Sequence, residues 1–393
     1  MATSVGHKLK KFRKKLLSPL YEFLQDSRAV GIVLMVCTIV SLITANSPYQ
    51  ATYINFWETA VHMPDGWHLP HSLLHWINDG LMVLFFFLVG MEIKRELTVG
   101  ELSSIQKSLL PALAALGGMI CPALIFLAFN GGTAHAHGWG IPMATDIAFS
   151  LGILSLLGKR IPITLKIFLM ALAIIDDLGA ILAIAVFYTA TLQLTWLLCG
   201  AGVMVLLIVL NLLKVQRLIF YLVPGLVLWY CIYNSGIHAT IAGVLVAFCI
   251  PLTKIAGLIH HLHDPVNFIV MPIFALANTA IAFPQDLMQA FTSPVSYGIL
   301  AGLVLGKPLG IFLFSFIAAR LKWAALPHKT TWAQLLGAGM IAGIGFTMSI
   351  FISTLAYKEA ELQIISIMSV MVASLLAGLI GFIYLKLLKP NKV

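Results

Sequence analysis

Long apolar stretches recur along the whole chain and restrict it to one class of fold. Of the 393 residues, 60% are hydrophobic and only 10% are charged, whereas a soluble domain has about 25% charged residues. A membrane-spanning helix needs about 20 residues, and the stretches have this length without the polar and apolar alternation of a membrane barrel. The sequence therefore excludes a soluble globule and predicts an all-α polytopic membrane protein.

Glycine, proline and asparagine clusters, together with the charged residues, divide the chain into about twelve predicted spans. They lie near residues 29–47, 73–93, 109–130, 138–157, 163–188, 195–213, 218–232, 236–252, 266–283, 296–320, 334–356 and 362–385. We expect one twelve-helix domain over 29–385, a basic tail over 1–28 and a short C-terminal tail over 386–393. Between the first two spans, a Pro-Asp-Gly turn signal at 64–66 predicts a small hairpin or an irregular loop.

The positive charge of the chain is distributed as expected for a membrane protein. The net charge is +9, from 24 Lys and Arg residues against 15 acids. With the basic tail inside, the six outward segments hold only Lys358, and 22 of the 24 cations face inward, the other being Lys307. This asymmetry follows the positive-inside rule. It predicts that both termini are cytoplasmic and gives no support for a nucleic-acid partner.

Five ionisable residues fall inside the predicted spans. They are Lys307, Asp79, Asp146 and the adjacent pair Asp176 and Asp177. Each charge at a helix centre costs roughly 2.5–3.5 kcal/mol, so we interpret the group as a functional site. The alternative is structural, namely a neutralised acid or a Lys–Asp pair that ties helices together, and it is strongest for Asp79.

The chemistry of the adjacent pair points to ion exchange. Two neighbouring carboxylates in a low dielectric cannot both ionise without a cation nearby, so they should hold a proton or a metal ion. Oxygen ligands suit hard cations. Lys307 could pair with one carboxylate when no ion is bound and lose a proton when sodium enters. Such a site would exchange Na⁺ for H⁺, which predicts a transporter, not an enzyme, with no bound cofactor.

Two predicted spans have sequences that could unwind and expose backbone carbonyls to an ion. In the fourth, Gly138, Gly140 and Pro142 precede Thr145 and Asp146. The eleventh contains four glycines, Gly337, Gly339, Gly343 and Gly345. Close packing of helices on small residues is the alternative for these glycines. The two spans are each second in a trio, 3–5 and 10–12, which are the positions expected of inverted repeats.

Six segments resemble, in this order and over about residues 30–385, the bacterial NhaA-type Na⁺/H⁺ antiporters: WINDGLMVLFFFLVGMEIKREL, IPMATDIAFSLGIL, LKIFLMALAIIDDLGAI, SGIHATIAGV, GKPLGI and GIGFTMSIFI. The resemblance implies twelve helices with inverted-topology repeats of helices 3–5 and 10–12, in which the interrupted helices 4 and 11 cross at mid-membrane. It also implies electrogenic, pH-regulated extrusion of cytoplasmic Na⁺ or Li⁺ against external protons, by a homodimer embedded in the lipid of the bacterial inner membrane. The alternative function is a Na⁺-coupled symporter of a small organic solute on a related fold.

The resemblance further implies roles for individual site residues. Asp177 matches the principal Na⁺ ligand, and Asp176 matches its proton-carrying neighbour, which pairs with Lys307. Thr145 and Asp146 match the interrupted-helix positions, where a hydroxyl and a charge assist binding without necessarily touching the ion.

Other residues match positions linked to access or to pH response. Asp79 matches an acid of the external funnel. The pH-sensing candidates are Glu92, Arg95, Glu96, His238, His260 and His263. One departure is that Ile259 occupies the family's glutamate position, while His261 and Asp264 are additions. We therefore expect the histidine cluster to sense cytoplasmic pH with an altered midpoint; solvated helix ends and surface histidines without a role are the alternatives.

Overall fold

The computed structural model describes residues 27–62, 68–189, 192–284 and 286–388. Helices make up 80% of the structure, and no strand occurs in these ranges. Within them, six helices are long and apolar enough to cross a membrane, or nine if each bent pair of helices is one span. The structure confirms the all-helical polytopic class.

The helices have the following bounds. In chain order they are α1 (Ser27–Ala45), α2 (Gln50–Glu58), α3 (Leu73–Thr98), α4 (Ile105–Asn130), α5 (Ala134–Met143, a 3₁₀ helix), α6 (Ile147–Leu156), α7 (Ile163–Phe187), α8 (Leu194–Leu212), α9 (Ile219–Ser235), α10 (Ile241–Cys249), α11 (Leu252–Pro265, Val266–Val270 and Met271–Asn278, continuous), α12 (Leu287–Phe291), α13 (Pro294–Arg320), α14 (Trp332–Ala342), α15 (Phe346–Ala356) and α16 (Ala360–Leu387).

Two predicted boundaries were wrong. α11 begins at Leu252 instead of residue 266, because the apolar positions Ile255 and Ile259 are buried one turn apart and extend the helix beyond the predicted span. α10 is shorter than the predicted span 236–252. Gly236 adopts a left-handed conformation with φ 90°, which ends α9, and α10 starts only at Ile241.

Three π-helical turns adjust the long helices. Pro272 and Pro308 cannot donate a hydrogen bond to the carbonyl four residues earlier. Those carbonyls belong to residues 268 and 304, each at the centre of a π turn, Val266–Val270 and Gly302–Gly306. The third turn, Ile77–Leu81, contains Asp79 without a proline. Turns of this kind occur frequently at functional sites, and here they place Lys307 and Asp79.

Polar contacts connect the loops in two groups, one at each end of the helix bundle. The first end is joined through three contacts, Thr164 to the His328 carbonyl, Arg160 to the Lys386 carbonyl, and Lys94 to the carbonyls of Phe248 and Ile250. The second end is joined through three others, Asn130 to the Pro294 carbonyl, Tyr188 to the His137 carbonyl, and Gln193 to the Ser235 carbonyl. Among the described loops, the first end carries the Lys and Arg residues and the second carries Lys358.

The loop between α1 and α3 is partly helical, because α2 occupies its first half. An antiparallel bridge then joins Ala60 to Ser72, with Val61 N donating to the His71 carbonyl at 3.0 Å. The predicted Pro-Asp-Gly turn at 64–66 lies outside the described residues. So do most of the predicted tails, 1–28 and 386–393.

Candidate ion-binding site

Four of the five ionisable residues predicted within the spans, Asp146, Asp176, Asp177 and Lys307, meet at the centre of the helix bundle, and Asp79 lies apart from them. Asp176 and Asp177 lie near the middle of α7 and are each 1% exposed, and Lys307 is fully buried. The Lys307 ammonium lies 2.8 Å from Asp176 Oδ2 and also donates to the carbonyl of Met143. Lys307 therefore neutralises one member of the acidic pair.

Close contact of α4 with α13 positions Lys307. A Cβ atom on Gly310 would lie 2.0 Å from the Gly117 carbonyl oxygen, so the two backbones touch where only glycine fits. A Cβ atom on Gly118 would lie 3.9 Å from Lys307 Cε. The small residues of α4 thus leave room for the lysine side chain to cross toward α7.

Two bent helix pairs pack against each other beside the lysine. The chain bends by 43° between α5 and α6 and by 47° between α14 and α15. Thr145, in the first bend, donates to Asp176 Oδ2 at 2.8 Å and lies 3.0 Å from the Ala342 carbonyl oxygen. Asp146 N donates to the Ile344 carbonyl at 2.7 Å. These contacts connect both bends directly to the acidic pair.

Asp146 neutralises the ends of two helices at once. Its Oδ1 caps α6 by accepting from Phe149 N at 3.0 Å, and its Oδ2 accepts from both the backbone N–H and the hydroxyl of Thr347, in the first turn of α15. A carboxylate at a helix N-terminus is stabilised by the helix dipole. The Met143 carbonyl, at the C-terminal end of α5, faces the Lys307 ammonium. The two charges therefore balance opposite helix ends.

Asp177 differs from Asp176 because it borders a cavity. The cavity has a volume of about 190 Å³ and is lined at its inner end by Thr145, Asp146, Asp177 and Thr347. Asp177 Oδ1 is buried and has no hydrogen-bond partner among the described residues. Among the residues that the structure describes, no group of three or more His, Cys, Asp or Glu side chains is arranged to hold a metal ion. The free oxygen can accept a proton or a cation that arrives through the cavity.

The outer end of the same cavity contains some of the predicted pH-sensing residues. Glu92, His263 and Asn267 line it, and the Asn267 amide lies 3.1 Å from His263 Nε2. His260 is exposed and does not line the cavity. Ile259, which occupies the family's glutamate position, is buried and is not part of the cavity lining. It therefore packs against other helices instead of facing the cavity.

Arg95 and Glu96 form a separate pair at the end of α3. Arg95 Nη2 lies 3.0 Å from Glu96 Oε1, and Glu96 Oε2 accepts from Glu101 N at 3.0 Å. Glu96 is buried, with 7% exposure. Glu92 lies one turn earlier on the same helix and borders the cavity, whereas Arg95 and Glu96 are not part of its lining.

Asp79 and His238, which the sequence analysis treated separately, contact each other. Asp79 Oδ1 lies 3.3 Å from His238 Nε2, and His238 Nδ1 lies 3.0 Å from the Thr240 hydroxyl. The Trp229 indole N–H donates to the Asp79 carbonyl at 2.7 Å. Neither residue lines the cavity at Asp177.

Sequence reasoning missed three parts of the site. The carbonyls of Met143 and Ala342 contact Lys307 and Thr145, and Thr347 binds Asp146. A carbonyl leaves no signal in the sequence because every residue has one. Thr347 was visible as a hydroxyl that follows the glycines of the eleventh span.

The glycines of that span also pack closely, as the structural alternative predicted. A Cβ atom on Gly337 would lie 2.4 Å from Leu385 Cδ2, and one on Gly343 would lie 2.4 Å from the Leu303 carbonyl oxygen. The last two glycines, Gly343 and Gly345, occupy the bend between α14 and α15. These residues therefore combine close packing with the bend.

Comparison with known proteins gives a consistent result over the whole chain. The family model described as Na⁺/H⁺ antiporter 1 matches residues 21–385. Two relatives from Flavobacterium johnsoniae are "Na(+)/H(+) antiporter NhaA 1", 49% identical over 96% of this chain and 99% of its own, and "Na(+)/H(+) antiporter NhaA 2", 52% identical over 94% and 93%. A third, from Cytophaga hutchinsonii, is "Na(+)/H(+) antiporter NhaA", 49% identical over 93% and 94%.

Proposed function

The chain belongs to the Na⁺/H⁺ antiporter 1 family, and from this premise we propose that Asp176 and Asp177 form the site at which it exchanges Na⁺ for H⁺. The unpaired Oδ1 of Asp177 carries the proposal, because it is buried and faces a cavity. Buried polar atoms are nearly always paired, and this one, unlike the equally unpaired Oδ1 of Asp176, belongs to a residue that borders a cavity through which a cation can reach it. Carboxylate, hydroxyl and carbonyl oxygens are the ligands that a hard cation such as Na⁺ prefers.

Exchange follows from competition for one set of charges. When a proton occupies Asp177, the Lys307–Asp176 ion pair is balanced and the site is closed to cations. When Na⁺ enters, it replaces the proton on Asp177, and its charge repels the ammonium 2.8 Å from Asp176. Lys307 then moves or gives up a proton. Exchange of one Na⁺ for more than one proton would make transport electrogenic, and Li⁺ would be accepted by the same ligands.

The contact between the bends supports the proposed architecture of the site. We propose a protein of twelve spans with inverted repeats. Two of its spans are interrupted, one formed by α5 and α6 and the other by α14 and α15, and they cross at mid-membrane. Neighbouring groups of opposite sign, Asp146 and Lys307, then neutralise the helix ends that such a crossing buries. The bend of 43° between α5 and α6 and the bend of 47° between α14 and α15 lie in the second span of each proposed repeat, which is consistent with this architecture.

The charge distribution supports a location in the bacterial inner membrane with both termini in the cytoplasm. The end of the bundle that carries the cations would be cytoplasmic. The cavity lined by Glu92 and His263 would then admit cytoplasmic Na⁺, and the Asp79–His238 pair would lie on the route from outside. His263, at the cavity mouth, would take part in pH regulation of Na⁺ entry. We also propose a homodimer in lipid.

The alternative, a symporter of an organic solute, has less support. The inner end of the cavity is lined by carboxylates and hydroxyls at Thr145, Asp146, Asp177 and Thr347. These groups suit a small cation, and although the rest of the lining is largely apolar, the cavity of about 190 Å³ is smaller than the roughly 300–1,000 Å³ of sites for organic ligands.

An assay in everted vesicles tests the proposal. Na⁺ or Li⁺ added to vesicles with a preformed pH gradient should dissipate the gradient, K⁺ should not, and no organic solute should be needed. Asp177→Asn should abolish the response, because it removes the charge that binds the cation. Glu359→Gln, at an exposed position before α16, removes a carboxylate far from the site and should leave exchange unchanged.

Electrogenicity has its own readout in the same vesicles. Clamping the membrane potential with K⁺ and valinomycin should change the rate of exchange, since net charge moves in each cycle. Full exchange in Asp177→Asn would contradict the site assignment. A rate independent of the potential would contradict only the electrogenic mode.

A further inference from the structure

A second cavity lies on the outer face of the bundle and shares no lining residue with the cavity at Asp177. It is a groove of about 470 Å³ between α1, α6 and α16 that reaches Phe346 at the start of α15. Met35 and Ile39 line one side, and Leu375 and Phe382 line another. These aliphatic and aromatic walls favour an apolar occupant over an ion or a polar solute.

The two hydroxyls in the groove already have partners within the protein. Thr38 Oγ1 donates to the Leu34 carbonyl at 2.9 Å, and Ser374 Oγ accepts from Phe346 N at 3.0 Å. Neither hydroxyl therefore requires a water molecule or a polar ligand. This pattern is the reverse of the one at Asp177, where a buried oxygen is left unpaired.

The length of the groove along α16 is close to the thickness of one membrane leaflet. Its lining on α16 runs from Met371 to Phe382, which at 1.5 Å per residue is about 16 Å. The hydrocarbon core of a bilayer is about 30 Å thick, so each leaflet contributes about half of it. Phe382 lies near the cation-rich end and Phe346 lies beside the bend. The groove thus has the length and position of one lipid acyl chain.

Two exposed cations lie at the surface end of the groove. Lys386 Nζ is 5.7 Å from the ring centroid of Phe382, and Arg160 donates to the Lys386 carbonyl. Across the described ranges, neither side chain forms an ion pair with a carboxylate. Unpaired cations at the mouth of an apolar groove complement an anionic phosphate headgroup.

We propose that this groove binds one anionic phospholipid, with an acyl chain in the groove and its phosphate at Arg160 and Lys386. The inner end of the chain would contact Phe149 and Phe346, whose rings meet edge to face at 5.0 Å. Thr347, which follows Phe346, binds Asp146 at the contact between the bends. The lipid therefore supports that contact from the membrane side.

Native mass spectrometry of the purified full-length protein tests the site directly and does not depend on transport. The probes are phosphatidylglycerol, phosphatidylcholine with the same chains, and glycerol phosphate without chains. The wild type should retain one phosphatidylglycerol more tightly than phosphatidylcholine and should not retain glycerol phosphate. Arg160→Gln/Lys386→Gln should weaken phosphatidylglycerol binding roughly 25-fold, because each cation contributes about fivefold.

Matched variants distinguish lipid binding in the groove from lipid binding elsewhere on the membrane-facing surface. Leu375→Trp fills the groove and should lower retention of phosphatidylglycerol. Leu376→Trp, exposed on the same helix but outside the groove, should not. Arg320→Gln/Lys322→Gln removes the same charge at the same end and should also have no effect. Size-exclusion chromatography and circular dichroism verify that each variant is folded.

Three results would overturn the proposal. The first is equal retention of phosphatidylglycerol and phosphatidylcholine by the wild type, and the second is equal loss in the groove variants and their controls. The third is a wild type that retains no phosphatidylglycerol, or that retains it only as a monomer; in the latter case a second copy covers the groove in the dimer.

Discussion

Lys307 pairs with Asp176 and leaves the adjacent Asp177 without a cation. The ammonium lies 2.8 Å from Asp176 Oδ2, whereas Asp177 faces the cavity with an unpaired oxygen. Consecutive residues on a helix point about 100° apart, so α7 presents one carboxylate to α13 and the other to the cavity. The two acids therefore have different tasks, although they are neighbours in the sequence.

Replacement of Lys307 by Met removes the cation and leaves the Asp176 carboxylate buried. Loss of one partner from a buried ion pair costs about 3–5 kcal/mol, so we expect a lower unfolding temperature and no exchange. Lys307→Met/Asp176→Asn removes both charges and should recover most of the stability but no exchange. Thermal unfolding in detergent and the vesicle assay measure the two effects. Equal stability of the single and double variants would mean that the pair is not ionised.

Competition at Asp177 predicts that Na⁺ binding depends on pH. Each proton that the cation must displace makes it bind about tenfold more tightly per pH unit while the site is protonated. Affinity should therefore rise from pH 6.5 and become constant once the site has lost its proton. Calorimetry in buffers with different ionisation heats measures affinity and proton release together. Constant affinity with no proton release, over pH 6.5–9, would contradict a shared site.

The sequence predicted the side chains of the site because charge inside a membrane is rare and costly. Asp176, Asp177 and Lys307 were all assigned on this basis, and the structure brings them together. The charge pattern alone does not say which acid pairs with the lysine, because this depends on the rotation of α7 relative to α13; only the family resemblance assigned the pairing to Asp176, where the ion pair lies. A hydropathy pattern gives the length of a helix but not its rotation.

Contacts between side chains that are far apart in the chain also could not be predicted from the sequence. Asp79 and His238 were each noted, but their contact at 3.3 Å depends on how α3 packs on the segment before α10. The early start of α11 at Leu252 was missed because a polar segment with a buried apolar stripe resembles a loop in composition. In both cases tertiary packing, and not local composition, determines the structure.

Asp146→Asn should loosen the contact between the bends. The amide oxygen could still accept from Phe149 N, but the charge that faces α6 and α15 would be lost. A charge at a helix end contributes about 0.3–2 kcal/mol, so we expect an unfolding free energy lower by about 1–3 kcal/mol and slower turnover. Asp286→Asn is the matched control, since Asp286 caps an exposed short helix. Equal effects of both variants on turnover would contradict this role.

The histidines of α11 should contribute unequally to pH response. Both His260 and His263 are exposed, but only His263 is part of the cavity lining. Because His263 borders the path to Asp177, His263→Gln should change the activity–pH curve. His260→Gln should not. Vesicle exchange across pH 6.5–9 measures both, and an unchanged curve after replacement of His260, His261 and His263 together would exclude the cluster as a sensor.

Two tyrosines hold α5 at the end of the bundle opposite the cations. The Tyr357 hydroxyl donates to the His135 carbonyl at 2.7 Å, and the Tyr188 hydroxyl donates to the His137 carbonyl at 2.8 Å. Tyr357 also packs on Gly138, where a Cβ atom would lie 2.1 Å from the hydroxyl oxygen. The two side chains thus fix the helix that precedes Thr145.

Removal of the Tyr357 hydroxyl should weaken this attachment equally at all working pH values. Burial raises the pKa of Tyr357 above its usual value, so the hydroxyl stays protonated at alkaline pH and its hydrogen bond persists. Tyr357→Phe should lower the unfolding free energy by about 0.5–1.5 kcal/mol, with the same loss at pH 6.5 and pH 9. Tyr297→Phe, at an exposed ring that packs on Phe129, is the control and should be neutral. A loss in Tyr357→Phe that disappears at pH 9 would mean that the hydroxyl ionises in this range.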